Sequence, residues 1–383
     1  MNKLLILGAT YHEIDIVERA HNKGIYVIVT DNNLDWSKSP AKYVADEAWN
    51  ISWSDIDALV LECRESKVNG IIAGFSEFRV ENMIKLCDKL GLPCTLSMKQ
   101  LNLTRDKIQF KNLCAKYGIR GVPEYKYGDS INFPVIVKPV DRAGSIGINV
   151  AYNQYVKGGN IALLGTSDTI MCNGKSGAPI LQKAWTFPSR YESQYVSEED
   201  GKIRKMLHGI GLKNGYVTMS AFYRNDRFYF FEAGFRLSGE LSYNYYDYIS
   251  GINYIDTLLD YSLGLPNSDI YEDCYQLNKC TKSIILNYFG IDGIVKKIQT
   301  PSNSSNESQK VIGNIYIKEG DSIHNETNVF KKIAMYTILS NDNMLEDIIR
   351  YINSNLHIID NKGQELIYER VDEKSLNFLQ MPK

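Results

Sequence analysis

The chain lacks a long apolar run, paired cysteines, clustered histidines and an excess of either charge, and each absence removes a class of function. The N-terminal apolar stretch Leu4-Leu5-Ile6-Leu7 stops at Gly8, and His12, Glu13 and Asp15 follow. It is too short for a signal-peptide core or a membrane span, so a first β-strand of a cytoplasmic protein is expected. Lys and Arg number 43 against 45 Asp and Glu, a formal net charge of -2, which gives no basic field for a phosphate backbone. Neither nucleic acid nor membrane is an expected partner. Cys63, Cys87, Cys94, Cys114, Cys172, Cys274 and Cys280 are odd in number and form no Cys-x-x-Cys pair, so they read as reduced core thiols. The dispersal of His12, His21, His208, His324 and His357 speaks against a histidine-rich metal site.

What is present is an ordinary globular composition, 383 residues with 44% hydrophobic and 23% charged, enough for two or three domains. Residues 3–8 end at Gly8; Ile14, Val17 and Ala20 then recur at helical spacing, Gly24 ends the helix, and residues 25–29 make a second strand closed by Asp31. A third strand fits 68–73 and a helix 80–90, before Gly91-Leu92-Pro93. This alternation predicts a parallel α/β unit over residues 1–98. Residues 107–117 form an amphipathic helix stopped by Gly118. Strands over 217–223 and 227–232 flank Arg224-Asn225-Asp226, a hairpin signal, so the middle of the chain is predicted to be antiparallel. Residues 300–308 are polar and non-periodic and read as an exposed loop. Beyond them, 311–317, 333–339 and 345–353 suggest a small α+β tail.

Two segments carry chemistry. In Val135-Ile136-Val137-Lys138-Pro139-Val140-Asp141-Arg142-Ala143-Gly144-Ser145-Ile146-Gly147 a buried strand delivers a lysine to a glycine-containing loop, where backbone amides and a positive charge can hold a polyanion. The plain alternative is a strand ending in a glycine hairpin with an exposed lysine. The spacing is not that of a P-loop. In Phe228-Tyr229-Phe230-Phe231-Glu232-Ala233-Gly234-Phe235-Arg236 a strand ends in a carboxylate, and an arginine follows four residues on. Such a carboxylate suits Mg²⁺, and the arginine suits a transferring phosphoryl group; the alternative is a surface ion pair.

These segments, in this order, resemble the ATP-grasp superfamily, and in particular carbamoyl-phosphate synthase large-subunit-like and L-amino acid ligase proteins. Ile72-Ala73-Gly74-Phe75-Ser76-Glu77 is similar to the end of the family's substrate domain, and Thr104-Arg105-Asp106-Lys107 to its entry helix. Gly209-Ile210-Gly211-Leu212-Lys213-Asn214-Gly215 is similar to the turn before its last strands. The resemblance reaches from the N-terminus to about residue 265 and implies an α+β ATP-grasp domain at 99–265, with a lid over about 105–185, and a C-terminal α+β part at 266–383. It implies ATP and Mg²⁺ as cofactors. Lys107 and Lys138 would contact the phosphates and Gly144, Ser145 and Gly147 would close over them; Glu232 would bind the metal and Arg236 would orient an acyl phosphate. The implied activity is a ligase joining a small-molecule carboxylate to an amine, or to a thiol, with an amino acid as one substrate; a homodimer is compatible with it. The alternative is a nucleotide-binding protein with a degenerate site and no ligase turnover.

Two departures stand out. The family's second acidic ligand and nearby asparagine fall at Ser220 and Gly234, which puts a second Mg²⁺ in doubt, with Glu240 as a compensating ligand or a solvated side chain. Ala151-Tyr152-Asn153-Gln154 also runs straight into a hairpin, leaving about 30 to 40 lid residues unaccounted for if lid elements have usual lengths. Either the lid is cut down, or lid residues are missing from the chain near 153–155. The adenine-binding residues are unassigned. Tyr243, Tyr245, Tyr246, Tyr248 and Tyr254 pack a core or line a substrate pocket, and Arg190 faces the site or the solvent. A dinucleotide site at Gly8 and Asp31 lacks Gly-x-Gly-x-x-Gly.

Overall fold

The computed structural model describes residues 1–124, 130, 150–172, 181–250, 253–265, 282–302, 309–325, 330–340 and 344–372. The βαβ opening is β1 (Lys3–Leu7), α1 (Glu13–Asn22) and β2 (Tyr26–Thr30). Residues 4–7 are all fully buried, as expected of a parallel strand covered on both faces. There follow β3 (Glu47–Trp49), α2 (Ile56–Glu65), β4 (Gly70–Ile72) and α3 (Glu77–Leu90). Asp55 caps α2 by accepting the Ala58 amide, and Gly91 ends α3 in the left-handed region at φ 69°, the roles these residue types fill at helix ends. The strands pair in parallel in the order β3-β2-β1-β4. The strand order therefore reverses between β1 and β4, and a crevice opens beyond the carboxyl ends of those strands, where α/β sheets place their ligands.

Two short helices lead onward. In α4 (Met98–Arg105) Ser97 and Gln100 form a capping box; in α5 (Lys107–Lys116) the Asp106 side chain accepts the amides of Ile108 and Gln109, satisfying donors that a first turn leaves free. The remaining elements are β5 (Val150–Lys157), β6 (Asn160–Met171), β7 (Gln182–Phe187), α6 (Glu192–Tyr195), α7 (Gly201–Gly209), β8 (Asn214–Arg224), β9 (Arg227–Gly234), α8 (Tyr243–Ser250), α9 (Tyr254–Ser262), β10 (Ser283–Phe289), β11 (Gly293–Gln299), β12 (Gln309–Ile315), β13 (Ser322–Ile323), β14 (Lys332–Ser340), α10 (Leu345–Asn355) and β15 (His357–Asp360). Eight of these strands form one sheet, β12-β14-β10-β7-β6-β5-β8-β9, with every neighbouring pair antiparallel. β10, β12 and β14, from beyond residue 265, thus continue the sheet that β5 to β9 begin, while β13, β11 and β15 make a small third sheet. The β8–β9 hairpin turns on Asn225 and Asp226 at φ 50° and 56°, a conformation that these two residue types tolerate best among non-glycines. Residues 153–155 lie within β5, which pairs with β8 along its whole length and bulges against β6 between Asn153 and Gln154.

The tyrosine-rich stretch after Gly239 is core. Tyr243, Tyr245, Tyr246 and Tyr254 are fully buried and Tyr248 is half-buried. Tyr245 packs on Phe187 with ring centroids 4.6 Å apart, and Tyr254 stacks on Tyr216 at 4.6 Å. The same cluster includes Ile6 and Val29 from the parallel sheet and Ile285 and Met335 from the antiparallel one. This aromatic layer fixes the end of β9 against the crevice.

Candidate functional site

β9 buries Phe228 and Phe230, and a register shift in its pairing with β8, after Phe230, inverts the alternation so that Glu232 is exposed and Ala233 buried. In the β8–β9 pairing the residue opposite Glu232 is Ser220, and Gly234 stands opposite Thr218. The cross-strand neighbour of Glu232 is therefore a hydroxyl and not a second carboxylate. Glu240 is held elsewhere: its two carboxylate oxygens accept from Lys332 Nζ at 3.0 and 2.9 Å. Among the described residues Glu232 has no ion-pair partner, and no three His, Cys, Asp or Glu side chains cluster as a metal cage. That donor set fits Mg²⁺, which is commonly held by one or two carboxylates together with substrate phosphates.

Arg236, half-buried beyond the end of β9, donates from Nη1 to the Leu237 carbonyl at 3.2 Å. It sits within electrostatic reach of Glu77 in the first turn of α3. Burial raises the Glu77 pKa and Glu232 adds to the rise, whereas Arg236 and Arg105 oppose it. Glu77 Oε1 is buried without a hydrogen-bond partner. Glu77 thus lies within electrostatic reach of Glu232 on β9, Arg236 after it and Arg105 at the end of α4. Arg105 is further tied to Glu81 on α3. Lys107 opens α5, which packs on β9 together with α4. Lys138, Gly144, Ser145 and Gly147 lie outside the described residues.

The loop after β1 is closed by the chain itself. Glu13, fully buried, accepts from the Thr10 amide at 2.7 Å, the Thr10 hydroxyl at 2.5 Å and Arg79 Nη1 at 2.7 Å. Two glycines make room for this pair. A Cβ on Gly8 (φ +110°) would lie 2.1 Å from Arg79 Nη1, and one on Gly74 (φ +66°) 2.7 Å from Glu13 Oε1. A protein carboxylate therefore occupies the amide that a pyrophosphate would need, and Asp31 accepts from the Asn33 amide and the Ser39 hydroxyl. The dinucleotide reading has no free loop to stand on.

His12, a cavity and Arg190 each have a defined place in the fold. The His12 ring packs between Phe75 at 5.5 Å and Tyr316 at 5.8 Å, and its Nε2 is buried without a partner. Burial, followed by Lys332, pushes its pKa down. A cavity of about 50 Å³ lies where Ile72 and Ala73 at the end of β4 meet Phe235 and Arg236 beyond β9. Arg190 donates from Nε to Asp168 on β6 at 3.1 Å and so binds its own segment to the sheet. Glu77, His12 and Arg79 were not among the expected site residues. Of these only Glu77 had a local signal, the acidic end of Gly74-Phe75-Ser76-Glu77.

No protein-family model matches the chain, and no curated protein sequence matches it. Solved structures do. The phosphoribosylglycinamide synthetase of Anaerococcus prevotii superposes with a TM-score of 0.77 at 16% identity, over 94% of this chain and 100% of that one. The L-amino acid ligase of Bacillus licheniformis gives 0.78 at 15% identity, over 94% and 99%. The biotin carboxylase domain of the Hydrogenobacter thermophilus 2-oxoglutarate carboxylase, in complex with ADP, MgADP and bicarbonate, gives 0.75 at 16% identity, over 96% and 91%. Among the described residues no helix is long and apolar enough to cross a membrane. Likeness at such identities speaks to the fold alone, and over nearly the whole chain that fold is the ATP-grasp fold.

Proposed function

We propose that the chain is an ATP-dependent ligase that activates a carboxylate as an acyl phosphate for attack by an amine, forming an amide and releasing ADP and phosphate. The observation that carries the reading is Glu232 exposed on β9 with Arg236 lining the cavity beyond that strand, in a fold shared with ligases and a carboxylase. Glu232 is the residue that would hold Mg²⁺, which when bound offsets phosphate charge. Lys107 and Lys138, with the loop of Gly144, Ser145 and Gly147, are assigned to the phosphates, and Arg236 to the acyl phosphate. This chemistry asks a protein mainly for positioning and charge neutralisation. An amino acid is the proposed substrate on one side of the reaction. The unpartnered oxygen of Glu77 is an acceptor of the kind an ammonium group requires.

The second reading, a nucleotide-binding protein without turnover, is favoured by one observation, the hydroxyl of Ser220 opposite Glu232. A coupled assay of ADP release over a panel of amino acids and small carboxylates separates the two. Release that depends on both a carboxylate and an amine supports the ligase. Tight ATP binding with no release across the panel supports the alternative.

A further inference from the structure

α3 ends on a turn that folds the chain back over the helix's own last residues. Gly91 takes the left-handed conformation at φ 69°, and the Leu92 amide donates to the Cys87 carbonyl at 3.0 Å. Past Pro93 the chain brings Cys94 against Cys87, and the two side chains share a thiol–thiol hydrogen bond. Their surroundings differ. Cys87 is 1% exposed and lies in the core with Cys63 of α2, whereas Cys94 is part-exposed and lines the cavity between the ends of β4 and β9. The Cys94 carbonyl accepts from the Tyr261 hydroxyl of α9 at 3.3 Å, which holds the returning segment in place.

These contacts divide the roles of the two sulfurs. The hydrogen bond from Cys87 holds the Cys94 thiol below its ordinary range against the opposing effect of burial, with the Leu96 and Thr95 backbone helping and Asp88 opposing. The same bond, with burial, pushes the Cys87 thiol up. Burial pushes the thiols of Cys63, Cys114 and Cys172 up to about 12. Because the thiolate is the nucleophile, Cys94 is the reactive one among the described cysteines. At a liquid-like share of roughly 30 Å³ for each water, the cavity of about 50 Å³ that Cys94 lines has room for about two heavy atoms, the size of hydrogen peroxide.

We propose that Cys94 and Cys87 form a peroxide-sensitive dithiol, in which Cys94 is the site of oxidation and Cys87 the resolving thiol. In the first step the Cys94 sulfur attacks a peroxide oxygen. An S–O bond forms, the O–O bond breaks, and the other oxygen leaves as hydroxide and takes up the proton that the thiol released, so that Cys94 becomes a sulfenic acid. In the second step the Cys87 sulfur attacks the Cys94 sulfur. An S–S bond forms, the S–O bond breaks, and hydroxide leaves with the Cys87 proton as water. The two thiols are oxidised to a disulfide and the peroxide is reduced to water. A thiol reductant reverses the change, and neither step depends on the ligase reading.

The experiment treats the full chain, reduced and then freed of reductant, with hydrogen peroxide, and maps its cysteines by alkylation and peptide mass spectrometry. The expected result is a Cys87–Cys94 disulfide that dithiothreitol removes. In the untreated protein Cys94 should be alkylated at least about 10-fold faster than Cys114 or Cys172, following thiolate content. Cys87→Ala should instead accumulate the sulfenic acid at Cys94, trapped as a dimedone adduct. If Cys87→Ala does not fold, the mapping of wild type decides alone. A bridge that joins either cysteine to Cys63 or to any other thiol, no bridge at all, Cys94 alkylation no faster than that of Cys114, or a folded Cys87→Ala without the adduct would each overturn the proposal.

Discussion

Ser220 stands directly across the β8–β9 pairing from Glu232, so the sheet offers one carboxylate where two would face each other in a site with paired acidic ligands. Under the proposed function Glu232→Gln should lower kcat by at least about 100-fold, the scale seen when a single charge-stabilising group is deleted. Ser220→Asp should shift the Mg²⁺ titration of activity to lower concentration. A Mg²⁺ dependence indifferent to both changes would show that the metal is held elsewhere.

Arg236 makes one hydrogen bond among the described residues, to the Leu237 carbonyl, and the rest of its fork is available to a ligand. Arg236→Lys keeps the charge and loses the planar bidentate geometry. The expected result is a fall in kcat/KM of about 10- to 100-fold, the size of one hydrogen bond to a charged group, with an unchanged urea midpoint. Equal activity in the two proteins would remove Arg236 from the site.

The Glu13 and Arg79 pair is a fold element. With Glu13 fully buried and the Arg79 side chain 12% exposed, Arg79→Met would leave a carboxylate uncompensated in the interior and destabilise the protein by about 3–5 kcal/mol. Glu13→Gln keeps an acceptor for the Thr10 amide and should cost less, about 1–3 kcal/mol. Urea unfolding compares the two; an Arg79→Met midpoint equal to wild type would contradict the assignment.

His12 gives a pH signature. Its pKa is pushed down by burial and by Lys332 from β14, against the opposing charges of Glu13 on α1 and Glu240 after β9 and a hydrogen bond to the Gly239 backbone. A depressed native pKa means that the neutral ring is the folded form. Its contribution is present above the unfolded value near 6.5 and is lost as pH falls through the lower native value. Between pH 7 and 5 the wild-type Tm should therefore fall more steeply than that of His12→Gln. Parallel slopes would show that His12 titrates as in the unfolded chain.

Much of this architecture was legible in the sequence because it is written locally. The β1–α1–β2 opening follows from continuous apolar strands around a helical period, and the β8–β9 hairpin from Asn225-Asp226 between alternating runs. β3 escaped notice since three residues are too few to show a period. The carboxylate and arginine of the candidate site were legible as a strand-end motif. Its other members were not, since Glu13 meets Arg79 across 66 positions and Glu77 comes within electrostatic reach of Arg236 only in the folded chain. The role of Glu240 was equally illegible, because Lys332 reaches it from a strand 92 positions away. Non-local pairs of this kind leave no spacing to read.

The central claim is that ATP cleavage is coupled to carboxylate activation at the end of β9. The direct test is to incubate the protein with ATP, Mg²⁺, hydroxylamine and each amino acid of the panel, and to quantify acyl hydroxamate against ADP. Equimolar hydroxamate and ADP in wild type, with both lost in Lys138→Ala and Glu232→Gln, is the predicted result. ATP that binds but yields neither product, or ADP release that ignores the carboxylate, would contradict the account.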